Sequence, residues 1–141
     1  TKHLYEKLHT LELLRDDWES LVYETEAMLY EQSWEDYDQL EKEFANWLKE
    51  EMSDWEIQCE QILVYFLSTY FCGAVYDGEA YEKAMLALIS ICLIHELLLA
   101  RWLKNEKTLT TEDVIEIVYR YSREIEHSDP NLEEVESWGK A

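Results

Sequence analysis

Glycine and proline are nearly absent from this chain: three Gly and one Pro in 141 residues leave almost no material for hairpins or glycine-rich loops. Helix is therefore the default along its length. Cysteine is also scarce, and Cys59, Cys72 and Cys92 are odd in number and show no CxxC spacing. That excludes a disulfide framework or a zinc site, and predicts reduced, buried thiols in a cytoplasmic protein. Positive charge is the third deficit. Twelve Lys and Arg stand against 32 Asp and Glu, a net charge of -20, so phosphate backbones are repelled and nucleic acid is excluded as a partner. Basic protein surfaces are attracted instead, although acidity also serves plain solubility. No GxSxG, Walker, GxGxxG, HExxH or EF-hand pattern occurs, which removes nucleophilic hydrolysis, nucleotide binding and zinc proteolysis. No secretory signal is visible, and the start at Thr1 is consistent with a piece of a longer protein.

What is present is apolar and aromatic. A hydrophobic fraction of 48%, with six Trp and ten Tyr, is too high for a disordered acidic tail, so the chain folds as one domain with one core. Leu4, Leu8, Leu11, Leu14, Trp18, Leu21, Val22, Ala27 and Met28 follow the spacing of a one-sided helix. Ser33 is placed to cap a second helix, whose stripe is Tyr37, Leu40, Phe44, Trp47 and Leu48. After a cap at Asp54, a third helix aligns Cys59, Ile62, Leu63, Phe66 and Tyr70, and ends near Gly73 and Asp77-Gly78.

The stretch from about 79 to 104 is the most apolar and reads as the central helix of a bundle. Its length suits a membrane span, but His95, Glu96 and Arg101 fall inside it, and no membrane insertion is expected. Thr110 with Asp113 forms a capping pattern for a fifth helix carrying Val114, Ile117, Val118, Tyr121 and Ile125, which ends near Ser128 before Asp129-Pro130. The expectation is an all-α bundle of about five helices over residues 1–133. Residues 134–141 are assigned to an acidic tail, within a segment from Asn131 that reads either as a short helix or as loose chain.

Few residues invite chemistry. Glu6-x-x-His9 and Glu124-x-x-His127 match the spacing of di-iron carboxylate bundles, but helical geometry turns both histidines away from the apolar stripes, so no metal is expected. His95 beside Glu96 offers a general base on a buried helix or, more plainly, a structural histidine satisfied by a carboxylate or carbonyl. Tyr121 to Ser128 is the densest polar cluster, with a helix end as its simplest explanation.

That same segment, Tyr121-Ser122-Arg123-Glu124-Ile125-Glu126-His127-Ser128 followed by Asn131-Leu132-Glu133, resembles the C-terminal signature of flagellin lysine-N-methylases. Ile62 to Phe66, Tyr70-Phe71, the Ala74 to Gly78 turn and the Leu93 to Trp102 helix extend the likeness over about residues 55–133. The resemblance implies a bacterial enzyme that moves methyl groups from S-adenosylmethionine to flagellin lysines, with a cysteine-rich N-terminal region holding an iron-sulfur cluster. Those clustered cysteines are missing here. The implied role is a C-terminal accessory domain, inactive and cofactor-free alone, that supports a missing N-terminal domain or presents flagellin. Arg123, Glu124 and His127, turned towards that missing domain, are the candidate site residues. The alternative is a non-enzymatic acidic adaptor for a basic protein. Trp34, Trp55 and Trp138 are candidate markers of an interface, with core packing as the ordinary fate of Trp.

Overall fold

The computed structural model describes Lys7 and residues 16–77, 80–126 and 129–138. Over the stretches beyond Lys7 it is all-α: α1 (Asp16–Tyr30), α2 (Trp34–Glu51), α3 (Trp55–Asp77), α4 (Ala80–Lys104), α5 (Thr111–Tyr121), a π-helical turn (Ser122–Glu126) and α6 (Asp129–Trp138). No strand occurs among the described residues.

Local signals start two of these helices as expected. Ser33 sits in an extended conformation, and its Oγ accepts the Asp36 amide at 3.2 Å. Thr110 and Asp113 make a reciprocal capping box, with each side chain accepting the other's backbone N–H. Such caps satisfy amides that have no partner within their helix, each worth roughly 1 kcal/mol.

Burial then selects faces. On α1 the buried set is Trp18, Leu21, Val22, Thr25 and Leu29. Ala27, expected in that stripe, is exposed, because it lies off the 3.6-residue line that Thr25 and Leu29 continue. Thr25 is tolerated inside because its Oγ1 donates back to the Leu21 carbonyl at 2.8 Å. The Leu4 to Leu14 part of the stripe lies outside the described residues, as does the Tyr70 side chain. On α2, Tyr37, Phe44 and Leu48 are buried as their spacing predicts.

Each of the other described α-helices packs against α4. Leu86, Leu93, Leu97, Leu98 and Leu99 of α4 are fully buried, each contributing roughly 1.5–3 kcal/mol of transfer free energy. Tyr81–Lys104 is long and apolar enough to cross a membrane, with a mean hydropathy of 1.9, yet 61% of that window is covered by the protein's own helices. Tyr121 closes the bundle: its ring meets Trp18 and Phe66 edge-on at 6.3 Å, and its hydroxyl donates to Ser90 Oγ at 2.8 Å.

Two expectations are corrected here. The acidic tail does not begin at residue 134, because α6 runs to Trp138 and buries Val135 and Trp138 against the bundle. Pro130 is the second residue of α6, where its missing N–H and fixed φ suit a helix start. The thiols are not uniformly buried either: Cys92 is exposed and Cys59 is half-buried, both free. The Cys72 side chain lies outside the described residues.

Candidate functional site

Glu96 is the exception in the apolar stretch of α4, a carboxylate at 2% exposure. Removing an anion from water is costly unless donors replace the lost hydration. Two tyrosines supply them: Tyr30, the last residue of α1, donates its hydroxyl to Oε2 at 2.7 Å, and Tyr37 of α2 donates to Oε1 at 2.5 Å. Burial, and then the hydrogen bond and charge of Glu96, push the Tyr37 hydroxyl far above the ordinary tyrosine range. Tyr37 is therefore held neutral as a donor.

Towards the surface, the polar cluster continues through Glu41, whose Oε1 lies 3.5 Å from His95 Nε2. His95 is half-buried, with its ring 5.5 Å from that of Phe44. Thus Glu96, not its neighbour His95, is the buried member of the pair. Above them opens a cavity of about 260 Å³ lined by Leu29, Tyr30, Gln32, Ser33, Trp34, Tyr37 and Glu41. Trp34 stacks on Tyr37 with ring centroids 5.5 Å apart and planes 26° apart, and Tyr30 lies 6.0 Å from Tyr37. Three aromatic rings and a carboxylate thus meet at one cavity, with no Lys or Arg in its lining.

Among the described residues, Glu41, His95 and Glu96 also form the one group of three potential metal ligands, with donor atoms within 4.8 Å of one another. Both Glu96 oxygens already accept a phenol hydrogen bond, which leaves each its remaining lone pair for a cation. A second, open groove of about 610 Å³ runs between α3 and α5, lined by Ile62, Tyr65, Ile115, Val118 and Tyr119 among others, and has no charged side chain in its wall.

The residues singled out in the sequence lie elsewhere. Glu124 points inward and is fully buried, and its backbone carbonyl accepts Asn131 Nδ2 at 2.9 Å across the π-helical turn. The Arg123 guanidinium carbon stands 5.5 Å from the Tyr119 ring centroid. Glu6, His9 and His127 lie outside the described residues. Of the tryptophans, Trp34 is exposed, Trp55 half-buried and Trp138 buried. The thiols described do not make the donor set of an iron-sulfur cluster: Cys59 and Cys92 stand on separate helices, and neither belongs to a group of three potential metal ligands among the described residues.

Sequence reasoning misses Tyr30, Tyr37 and Glu41 as partners of the α4 pair, and Trp34 as the ring stacked on Tyr37. The available signal is weak: two tyrosines seven residues apart around the Ser33 cap, facing a Glu in an otherwise apolar helix.

Comparison with known proteins adds the family. The model of the FliB lysine N-methylase C-terminal domain matches residues 1–140. No curated protein and no solved structure matches the chain.

Proposed function

Since the chain belongs to the FliB lysine N-methylase C-terminal domain family, we propose that it is the substrate-presenting, non-catalytic domain of an S-adenosylmethionine-dependent enzyme acting on flagellin lysines in the bacterial cytoplasm. The observation that carries this reading is the burial of Glu124. Glu124, a charged residue of the signature, is a fully enclosed side chain in a turn whose carbonyl is tied to Asn131, which supports a structural role for this residue instead of contact with substrate. Methyl transfer forms an N–C bond from the lysine lone pair and breaks the C–S bond of a sulfonium, with the lysine proton leaving beforehand. That chemistry, and the iron-sulfur cluster, are assigned to the N-terminal part of the enzyme.

For this domain the task is attraction and orientation. A net charge of -20 draws a lysine-bearing surface inward, an effect that weakens beyond about 8 Å at physiological salt. The exposed acids Glu50, Glu51, Asp54 and Glu56 cluster around the turn between α2 and α3. In the complete methylase, reversing these four to Lys is expected to raise KM for flagellin several-fold and leave kcat unchanged. An unchanged KM, or a loss confined to kcat, refutes presentation by this domain.

A further inference from the structure

We propose that the cavity between α1 and α2 binds the methylated ammonium group of a lysine side chain. The proposal deepens the presentation reading and rests on it for the source of the lysine, but its physical case is local. Tyr30, Trp34, Tyr37 and Glu41 line one space of about 260 Å³, below the roughly 300–1,000 Å³ of drug-sized sites and of the scale of a single side-chain head.

The rings are held in place before any ligand arrives. Tyr30 and Tyr37 each give their hydroxyl to Glu96, and Trp34 stacks on Tyr37. With both hydroxyls engaged inside, what these residues offer the cavity is π surface, whose negative face attracts cations. Preorganised rings lose little entropy on binding. Trp34 is 73% exposed, the most open of the large apolar side chains described, and it is the first residue of α2. An indole held there by stacking, at the mouth of a cavity, suits a ligand more than it suits the core.

Charge narrows the ligand class. Glu41 is in the wall and the buried Glu96 carboxylate lies behind the two tyrosines, while Lys and Arg are absent from the lining. The N-terminus of α2 contributes a partial positive charge, but Ser33 caps it, and Glu35 and Asp36 occupy its first turn. An anion is therefore disfavoured. A bare ammonium is strongly hydrated and enters an aromatic setting reluctantly. A methylated ammonium keeps its positive charge, sheds water more readily and presents methyl groups to the rings. Choline-like amines share this chemistry, so the test separates the two sources.

The test uses the 141-residue chain, titrated by NMR of its indole N–H signals with one flagellin peptide in four forms. These carry trimethyl-lysine, dimethyl-lysine, unmodified lysine, and a neutral isostere in which carbon replaces the trimethylated nitrogen; free choline is the fifth ligand. The expected result is that the two methylated peptides bind at least about tenfold more tightly than the unmodified and neutral ones, and more tightly than choline. Trp34→Ala and Glu41→Gln should each weaken that binding about tenfold, with unchanged helical circular dichroism and Tm showing that the fold is intact. Equal binding of the neutral isostere overturns the proposal, because it reveals only an apolar hole. Tighter binding of choline overturns the protein-lysine source, and absence of binding overturns the site. Should the peptides bind while charge reversal leaves KM unaltered, the site stands and presentation fails; an altered KM without peptide binding leaves presentation standing and removes the site.

Discussion

Tyr37→Phe deletes one oxygen from the protein and leaves the ring, so its consequences fall on Glu96. The carboxylate is 2% exposed and loses one of its two phenolic donors, keeping the bond from Tyr30. A hydrogen bond to a charged group contributes about 1.5–3 kcal/mol net, and an under-satisfied buried anion leaves little room for relaxation, so about 2 kcal/mol is expected at pH 7. For a domain of this size that corresponds to a Tm lower by roughly 6–10 °C. Urea unfolding followed by circular dichroism should show a lower midpoint at unchanged m. The double variant with Glu96→Gln measures the coupling directly, and the two losses should fall short of additive. A pH signature accompanies the loss. The folded Tyr37 hydroxyl titrates far above its unfolded value near 10, so its contribution is complete below pH 10 and declines above it, when only the unfolded chain releases this proton. The wild-type alkaline limb should exceed that of Tyr37→Phe by up to about 1.4 kcal/mol per pH unit. A stability loss below about 0.5 kcal/mol with superimposable alkaline limbs would refute the reasoning.

Two further substitutions probe other joints of the fold. Arg101 of α4 reaches Asp113 and Glu116 of α5 at 3.3 and 3.1 Å. Burial works to raise the Asp113 carboxyl but is outweighed by bonds from Thr110 and by the Arg101 charge, whereas Glu116 is held low first of all by its Arg101 bond. Both depressed groups stabilise above their unfolded values near 4 and lose that contribution as pH falls through the folded ones, so Arg101→Met should cost about 1 kcal/mol at pH 7 and much less near pH 2, read by urea midpoints at both. Asn131→Ala removes the donor to the Glu124 carbonyl and should cost about 1–3 kcal/mol, with amide exchange accelerating first in residues 122–135; protection unchanged there would argue against that bond as the clasp of the turn.

How far the sequence discloses all this depends on the range of the interaction concerned. Ser33, Thr110 and Asp113 are legible because a cap is satisfied within three residues, and no distant partner can alter it. The α4 stretch is legible because an all-apolar helix has only the centre of a bundle to occupy. Ala27 misleads because a small side chain satisfies a stripe pattern without needing burial, while Thr25 takes the inward position by bonding to its own helix. The end of the domain reads too early because the acids from 129 onward dominate the composition, whereas two side chains, Val135 and Trp138, decide the packing. Glu96 stands out in its helix, but its partners Tyr30 and Tyr37 lie 66 and 59 residues away, and nothing local marks that pairing.

The same helix that organises the core also organises the cavity. Because the other described α-helices all pack on α4, a charge buried on it can be tolerated only where neighbouring elements deliver donors, and Tyr30 and Tyr37 do so from either side of the Ser33 cap. The Ser33 hydroxyl sets where α2 begins, and with it the positions of Trp34, Tyr37 and Glu41 on successive turns. Glu96 fixes two of the three rings from beneath, and stacking fixes the third from above. A carboxylate that would otherwise only weaken the core thereby acts as the anchor of an aromatic recess. This coupling means that a change at Glu96 should disturb stability and ligand binding together, whereas Trp34 and Glu41, at the rim, are the positions where the two can be separated.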